Sequence, residues 1–220
     1  RSNKNPGLMR SAGPGVENME ISEAISTQRA IRHFSDRLVS DETVRTLMEA
    51  ATSAPNAGNR QQWRFLVVRD RETKRRLGDW YLQAWTETVS RIGDEAYTQP
   101  YRSGGVLGEQ MENIPVIVLA CIATGSSHIT GGLDTRGASI YPAVQNLMLT
   151  ARSLGLGTVI TTMHTQFETE VKQLLGIPDQ FDTAALIPVG YPAPDVSFGD
   201  VSRGPLDDVV YQDRWGNPLD

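Results

Sequence analysis

The chain predicts an α+β fold in one layered domain, and three observations carry that prediction. Short wholly apolar runs, the clearest being Val116-Ile-Val-Leu-Ala-Cys-Ile-Ala123, have the length of strands buried on both faces. Other segments carry apolar residues every three or four positions, as helices with one buried face do. The two kinds alternate only loosely, with neither an internal repeat nor a linker between them, which fits a single α+β layer structure.

Positions 20–28 read as a short helix. Ser40 is an N-cap, followed by Thr43 where Glu is more usual, and the helix it opens brings Val44, Leu47, Met48 and Ala51 to one face. Ala54-Pro55 ends it. Positions 65–69 form a strand, and 71–91 a long helix carrying Leu77, Trp80, Tyr81, Ala84, Trp85 and Val89. Positions 92–111 are the least regular, with Gly93, Pro100, Gly104, Gly105 and Gly108 around Tyr97 and Tyr101. A lid over a binding site and an ordinary surface excursion both fit that composition.

After the strand at 116–123, positions 137–154 form a helix with Ile140, Val144, Leu147, Met148, Ala151 and Leu154 inward, closed by Gly155. A strand at 158–162, a helix at 165–175 capped by Gly176, and a strand at 184–190 follow. The remaining arm, 191–220, is rich in Pro, Asp and Gly. Its Val209, Val210, Tyr211 and Trp215 have little to pack on within one domain, so the arm is expected to wrap a second subunit; lying on its own surface is the alternative. Positions 19–220 therefore read as one domain. Positions 1–18, polar and rich in Gly and Pro, are expected to be a disordered leader or a cloning remnant, with Met19 as a natural start.

Composition bounds the partners. With 39% hydrophobic and 21% charged residues, the 220-residue chain reads as a soluble globular protein with a substantial core. No apolar run approaches the roughly 20 residues that span a bilayer. A net charge of −5 argues against nucleic acid or an anionic membrane as the main partner. Lysine occurs only at 4, 74 and 172, and arginine, the better phosphate fork, supplies the other positive charge. The single Cys121 excludes an internal disulfide and a cysteine-built zinc site, and its apolar neighbours mark a small buried side chain in a cytoplasmic protein.

Rival motifs fail on spacing. Gly155-x-Gly157 lacks a third glycine and leads from helix into strand, the reverse of a dinucleotide fingerprint. There is no P-loop, His33, His128 and His164 form no metal-binding pair, and Gly125-Ser-Ser-His128 is not a nucleophile elbow.

What remains is a set of polar segments. Ser53-Ala-Pro-Asn-Ala-Gly-Asn-Arg-Gln-Gln-Trp63 runs straight into a strand, and either serves as a plain helix-to-strand connection or offers the amides of Asn56, Asn59 and Gln61 to a ligand. Arg29 and Arg32, three apart, can point to one side of a helix end or turn and fork a phosphate, although two nearby arginines are more often a solvated face. Thr161 and Thr162 end a strand, where β-propensity alone would place them.

Together these segments resemble the FMN-dependent nitroreductase superfamily. Ala54, Pro55, Asn59, Gln61 and Trp63 fit its pattern Ala-Pro-Ser-x-x-Asn-x-Gln-Pro-Trp, with Asn56 where Ser is usual and Gln62 where Pro is usual. Gln28-Arg-Ala-Ile-Arg-His-Phe34 is similar to Arg-Arg-Ser-x-Arg-x-Phe. Arg29, Arg32 and Phe34 match, while Gln28 and Ala30 depart, although the Ala30 backbone can still donate. Ser202-Arg-Gly-Pro-Leu-Asp207 resembles the C-terminal element in which an arginine, here Arg203, closes on the same phosphate. Leu154-Gly-Leu-Gly-Thr-Val-Ile-Thr-Thr162 resembles the segment passing the flavin N5 edge, and it and Ile187-Pro-Val-Gly-Tyr-Pro192 are closest to the iodotyrosine deiodinase branch. Gln145, Asn146 and Leu175-Gly-Ile-Pro178 match structural positions. The likeness spans about 21–207 and is weakest over 71–111.

The resemblance implies a nitroreductase-like fold with a central mixed sheet flanked by helices, and a homodimer that exchanges its C-terminal arms and builds two FMN sites at the interface. Arg29, Ala30, Arg32 and Arg203 would hold the phosphate. Pro55, Asn56, Asn59 and Gln61 would reach the ribityl chain and ring from the partner subunit, and Ile160, Thr161 and Thr162 would face N5. No catalytic side chain is implied. The activity implied is reduction of a small nitroaromatic or quinone-type acceptor by NAD(P)H through a ping-pong mechanism.

Three alternatives share the fold or the flavin: a reductive dehalogenase of the iodotyrosine deiodinase type, a flavin store or sensor without turnover, and a flavin-cleaving enzyme of the cobalamin pathway. The dehalogenase grips its substrate with Glu, Tyr and Lys. Here Glu87, Glu95, Tyr97 and Tyr101 are available, but no lysine lies between Lys74 and Lys172, which leaves Arg91 or Arg102 as substitutes.

Overall fold

A computed structural model describes residues 19–92, 98–126, 129–130 and 133–219. The expected leader at 1–18, His128, and Gly93, Glu95 and Tyr97 of the irregular stretch 92–111 lie outside the described residues. The elements are α1 (Ile21–Thr27), α2 (Asp41–Thr52), β1 (Trp63–Val68), α3 (Arg71–Ser90), α4 (Gln99–Glu109), β2 (Val116–Ala123), the two-residue strands β3 (Ile129–Thr130) and β4 (Leu133–Asp134), α5 (Gly137–Ser153), β5 (Gly157–Thr158), α6 (Glu168–Leu175) and β6 (Phe181–Gly190).

The main sheet has the order β1-β2-β6-β5, and every neighbouring pair is antiparallel. The mixed character expected of it reduces, among the described residues, to one parallel bridge between Ala30 and Thr158 at the β5 edge. β2 explains its own sequence. Val116, Val118, Ala120 and Ile122 face a core shared with α2 and α5, while Ile117, Leu119 and Cys121 face another formed with α3, α4 and α6. A strand covered on both faces needs no polar positions. Burial also pushes the Cys121 thiol up to about 12, so it is an inert core side chain.

Local signals behave as their chemistry demands. The Ser40 hydroxyl accepts from the Thr43 N–H at 3.1 Å, and Gly176 closes α6 with φ 65°. Asn146 donates to the Ala50 carbonyl at 3.2 Å, tying α5 to α2.

Two expectations need correction. The helix placed at 165–175 begins only at Glu168, because Thr165 directs both its N–H and its hydroxyl to the Thr162 carbonyl, tightening 163–167 into a 3-10 turn. The strand placed at 158–162 is interrupted. Thr158 pairs with Val189 and Thr161 with Leu186 in one register, which sets Val159 opposite Pro188. A proline has no N–H to give, so the ladder opens there and closes again at Thr161.

The irregular stretch 92–111 contains α4, which lies on α3 through its glycines. A β-carbon at Gly104 would meet Trp85 Nε1 at 2.7 Å, and one at Gly108 would meet Leu82 Cγ at 2.6 Å. Trp85 Nε1 in turn donates to the Tyr101 carbonyl at 3.0 Å. Residues 99–109 of that stretch thus form a helix packed on α3.

Candidate functional site

The segment after α1 is extended. Gln28 has φ −67° and ψ 125°, and the Ile31 N–H donates to the Thr158 carbonyl at 2.9 Å, so 29–32 lies along the sheet edge and not on the helix end or turn expected for it. Gly157 permits this, since a β-carbon there would stand 2.7 Å from Ile31 Cβ. Ile31 turns into the core. Arg29 and Ala30 are exposed, and the Ala30 N–H has no hydrogen-bond partner among the described residues. Arg32 is half-buried. Desolvation lowers its guanidinium from the ordinary value, and the nearby Tyr81 phenol opposes that shift. Among the described residues neither Arg29 nor Arg32 pairs with a carboxylate, which leaves two positive charges beside one edge strand.

The C-terminal arm runs beside the same segment. Ser35 donates to the Tyr191 carbonyl at 2.9 Å, Ala193 to His33 at 3.1 Å, and Gly199 to Thr27 at 3.4 Å. Arg152 fastens this corner by donating to Thr27 Oγ1 at 2.8 Å and lying over the Phe198 ring at 4.2 Å. The arm therefore reaches the arginine segment, and Arg203 follows Gly199 by four residues, roughly 14 Å of extended chain. Arg203 is exposed and donates to the Ser202 carbonyl at 2.9 Å.

Thr161 and Thr162 emerge just beyond the ladder opening, with Ile160 41% exposed beside them. The Thr161 backbone exchanges two hydrogen bonds with Leu186, at 3.0 and 2.9 Å. Its side-chain oxygen accepts from the Met163 N–H at 3.3 Å, and near it the buried Tyr81 phenol is raised by desolvation, with smaller opposing contributions from Arg32 and Thr161. Tyr81 thus shares the electrostatic surroundings of Arg32 and Thr161, although in sequence it reads only as part of the apolar face of a helix.

The loop before β1 is a separate structure. Gly58, Asn59 and Gln61 have φ of 59°, 52° and 51°, left-handed positions on either side of the right-handed Arg60, and asparagine tolerates such positions better than most residues. Asn56 Oδ1 accepts from the Gln61 N–H at 2.8 Å, and Gln61 Nε2 donates to Asn59 Oδ1 at 3.3 Å. Ser139, in the first turn of α5, accepts from the Ala57 N–H at 3.2 Å. Pro55, Asn56 and Gly58 line a cleft of about 550 Å³ with Arg136 and Ser139 on its far side. Arg136 there is neutralised by Asp134 and Asp182, each at 2.5 Å. Ser139 and Arg136 carried no signal in the sequence.

These two constellations are not adjacent within one chain. Trp63 pairs with Ile122 and thence Asp182, whereas Thr161 pairs with Leu186, three strand positions across and four residues along. At strand spacings of about 4.8 Å and rises of about 3.3 Å this is roughly 20 Å. Arg29, Ala30, Arg32, Ile160, Thr161, Thr162 and the approach to Arg203 form one group; Pro55, Asn56, Asn59 and Gln61 form the other.

Comparison with known proteins agrees with this architecture. A protein of Archaeoglobus fulgidus, provisionally named NADH dehydrogenase/NAD(P)H nitroreductase, is 29% identical over 198 residues, covering 89% of this chain and 99% of its own. Mouse iodotyrosine deiodinase 1 is 25% identical over 202 residues, 89% of this chain and 70% of its own. The fold is shared with a crystal structure of oxidized iodotyrosine deiodinase bound to FMN and 3-iodo-L-tyrosine, at a TM-score of 0.72 and 20% identity over 89% of this chain and 99% of that one. The Nitroreductase family pattern matches residues 25–191, taking in the whole sheet and both polar constellations apart from the arm toward Arg203, and the chain belongs to that family of oxidoreductases.

Proposed function

We propose that the protein is a homodimeric, FMN-dependent oxidoreductase that uses NAD(P)H to reduce a small nitroaromatic or quinone-type acceptor. The observation that carries this reading is the pair of arginines, Arg29 and Arg32, standing without carboxylate partners among the described residues beside Thr161 and Thr162 on one sheet edge. Cations left unneutralised at a half-buried edge suit an anionic ligand.

The donor set fits FMN. Arg29, the free Ala30 N–H and Arg203 are suited to the phosphate, and Arg32 stands between them and the ring edge at Ile160, Thr161 and Thr162. When bound, FMN supplies a hydride-accepting ring and, with it, two separate half-reactions in ping-pong order. The chain's own part is to bind and orient: the arginines fix the phosphate, the threonine hydroxyls fix the ring edge, and the interrupted ladder at Pro188 leaves that edge open to a substrate.

Asn59, Gln61 and Pro55 would come from a second copy, which accounts for a polar loop lying roughly 20 Å from the other half of its site. The arm supports such an assembly. Leu206, Val209 and Trp215 are 64%, 73% and 91% exposed, an apolar surface that a partner subunit would cover. A cytoplasmic location accords with the free, buried Cys121.

Likeness to iodotyrosine deiodinase supports dehalogenation as a second reading, but Lys74 cannot serve as its lysine. It is buried, and its Nζ donates to the Ile114 carbonyl. Turnover of 3-iodotyrosine would establish that reading.

Subunit mixing tests the shared site. An Arg29→Ala/Arg32→Ala chain and an Asn59→Ala/Gln61→Ala chain should each bind FMN weakly alone. Unfolded and refolded together, they should regain about a quarter of the sites, since half the dimers are mixed and each has one intact site. No recovery would mean that each site is built within one chain.

A further inference from the structure

Arg152 stands in the last turn of α5 with its side chain 12% exposed, and groups from both ends of the chain converge on it. Its Nε donates to Thr27 Oγ1 at 2.8 Å, and that hydroxyl gives its own proton to the Glu23 carbonyl at 2.6 Å, so the bonds run on into the backbone of α1. The Glu23 carboxylate lies 4.0 Å from the guanidinium. From the C-terminal arm, the Phe198 ring centre lies 4.2 Å from the guanidinium carbon. The backbone bond at this junction, from the Gly199 N–H to the Thr27 carbonyl, is long at 3.4 Å and correspondingly weak. The side chain of Arg152 therefore does the joining, and α5 gives it a fixed base through the buried Leu147, Met148 and Ala151. A cation in the last turn could serve the helix dipole from solvent. Taking a guanidinium out of water is costly unless partners such as these meet it. Lysine would supply the charge, but not a flat face for the ring together with a donor for the hydroxyl.

Both segments held here lead to arginines: Thr27 precedes Arg29 by two residues, and Phe198 precedes Arg203 by five. We propose that Arg152 is a positioning residue that brings Arg29 and Arg203 to one phosphate, setting the affinity for that end of the flavin without touching it, an inference that rests on the FMN reading above.

The experiment compares FMN with riboflavin, which has the same ring and ribityl chain but no phosphate. Dissociation constants for both are measured by equilibrium dialysis on the full chain as wild type, Arg152→Met, Arg152→Lys and Thr27→Val. Arg152→Met should weaken FMN about tenfold, the worth of a charge-assisted contact, and leave riboflavin within about twofold. Arg152→Lys and Thr27→Val keep the positive charge but lose the geometry, and each should still weaken FMN about threefold relative to riboflavin. Thr27→Val changes only a half-buried helix end, so it decides the matter even if Arg152→Met fails to fold. Equal weakening of both flavins overturns the proposal, because Arg152 would then serve general stability. Wild-type FMN binding in Arg152→Lys or in Thr27→Val also overturns it, because only the long-range attraction of the charge would remain. A wild-type protein that binds FMN no tighter than riboflavin, or binds neither, overturns the phosphate reading itself, and this inference with it.

Discussion

The Gln61 backbone N–H donates to Asn56 Oδ1 at 2.8 Å, closing the loop before β1 on itself. Asn56 replaces the serine usual at its position, and the longer amide spans five residues to hold a loop containing three left-handed residues. Its oxygen, expected to serve a ligand, is used in shaping the loop. Asn56→Ala should therefore cost about 1 kcal/mol of stability, the worth of one partly exposed hydrogen bond. Asn56→Ser should recover little of it, because the shorter side chain falls short of the Gln61 N–H. Urea unfolding midpoints of the three proteins check this.

Arg203 follows Gly199, which bonds to Thr27 two residues before Arg29, whereas Arg214 sits in the exposed turn beyond Tyr211. Arg203→Ala should weaken FMN retention at least tenfold while Arg214→Ala leaves it within twofold, as read by ultrafiltration of the yellow protein. Equal retention would remove Arg203 from the site.

Gly157 allows the arginine segment to lie against β5, with only 2.7 Å available between a new β-carbon and Ile31 Cβ. Gly157→Ala should destabilise the fold by about 1–3 kcal/mol through overpacking and loosen FMN by displacing Arg29 and Arg32. Thermal unfolding with and without FMN separates the two effects. Wild-type stability would show that the segment has room to move.

His164 is 1% exposed, and neither ring nitrogen has a hydrogen-bond partner among the described residues. Desolvation pushes its pKa down to about 4, from about 6.5 in the unfolded chain. Between those values the unfolded state binds more protons, so this contribution is fully present above pH 6.5 and is lost as the pH falls toward 4. The loss is on the order of 3 kcal/mol. His164→Met should flatten that part of the stability profile. A variant with the same acid sensitivity as wild type would show that other groups govern it.

Most of the architecture was legible because apolar periodicity records burial. The two-faced run of β2, the Ser40 cap and the glycine stops at 155 and 176 each report a local cause. Failures came where a distant residue decides. Pro188 breaks the pairing of Val159 across a different strand, and Thr165 chooses a 3-10 turn over a helix that periodicity alone would favour. Gly104, Gly105 and Gly108 read as looseness, yet they are the flat seat that lets α4 lie on Trp85 and Tyr81. In the candidate site, the matching motifs named the polar residues but not their relations. That Asn56 braces Gln61, and that Ser139 of α5 accepts from Ala57, depends on approaches across 5 and 82 positions that no spacing rule encodes.

The central claim is a flavin bound at this edge and reduced by nicotinamide. Its most direct test is the visible spectrum of the purified protein after incubation with FMN and removal of the excess, followed by NADH or NADPH without oxygen. The account predicts a yellow protein that bleaches within the mixing time of at least one nicotinamide and recovers its colour when a quinone is added. A protein that retains no FMN, or a bound flavin that both nicotinamides leave oxidised, would contradict it.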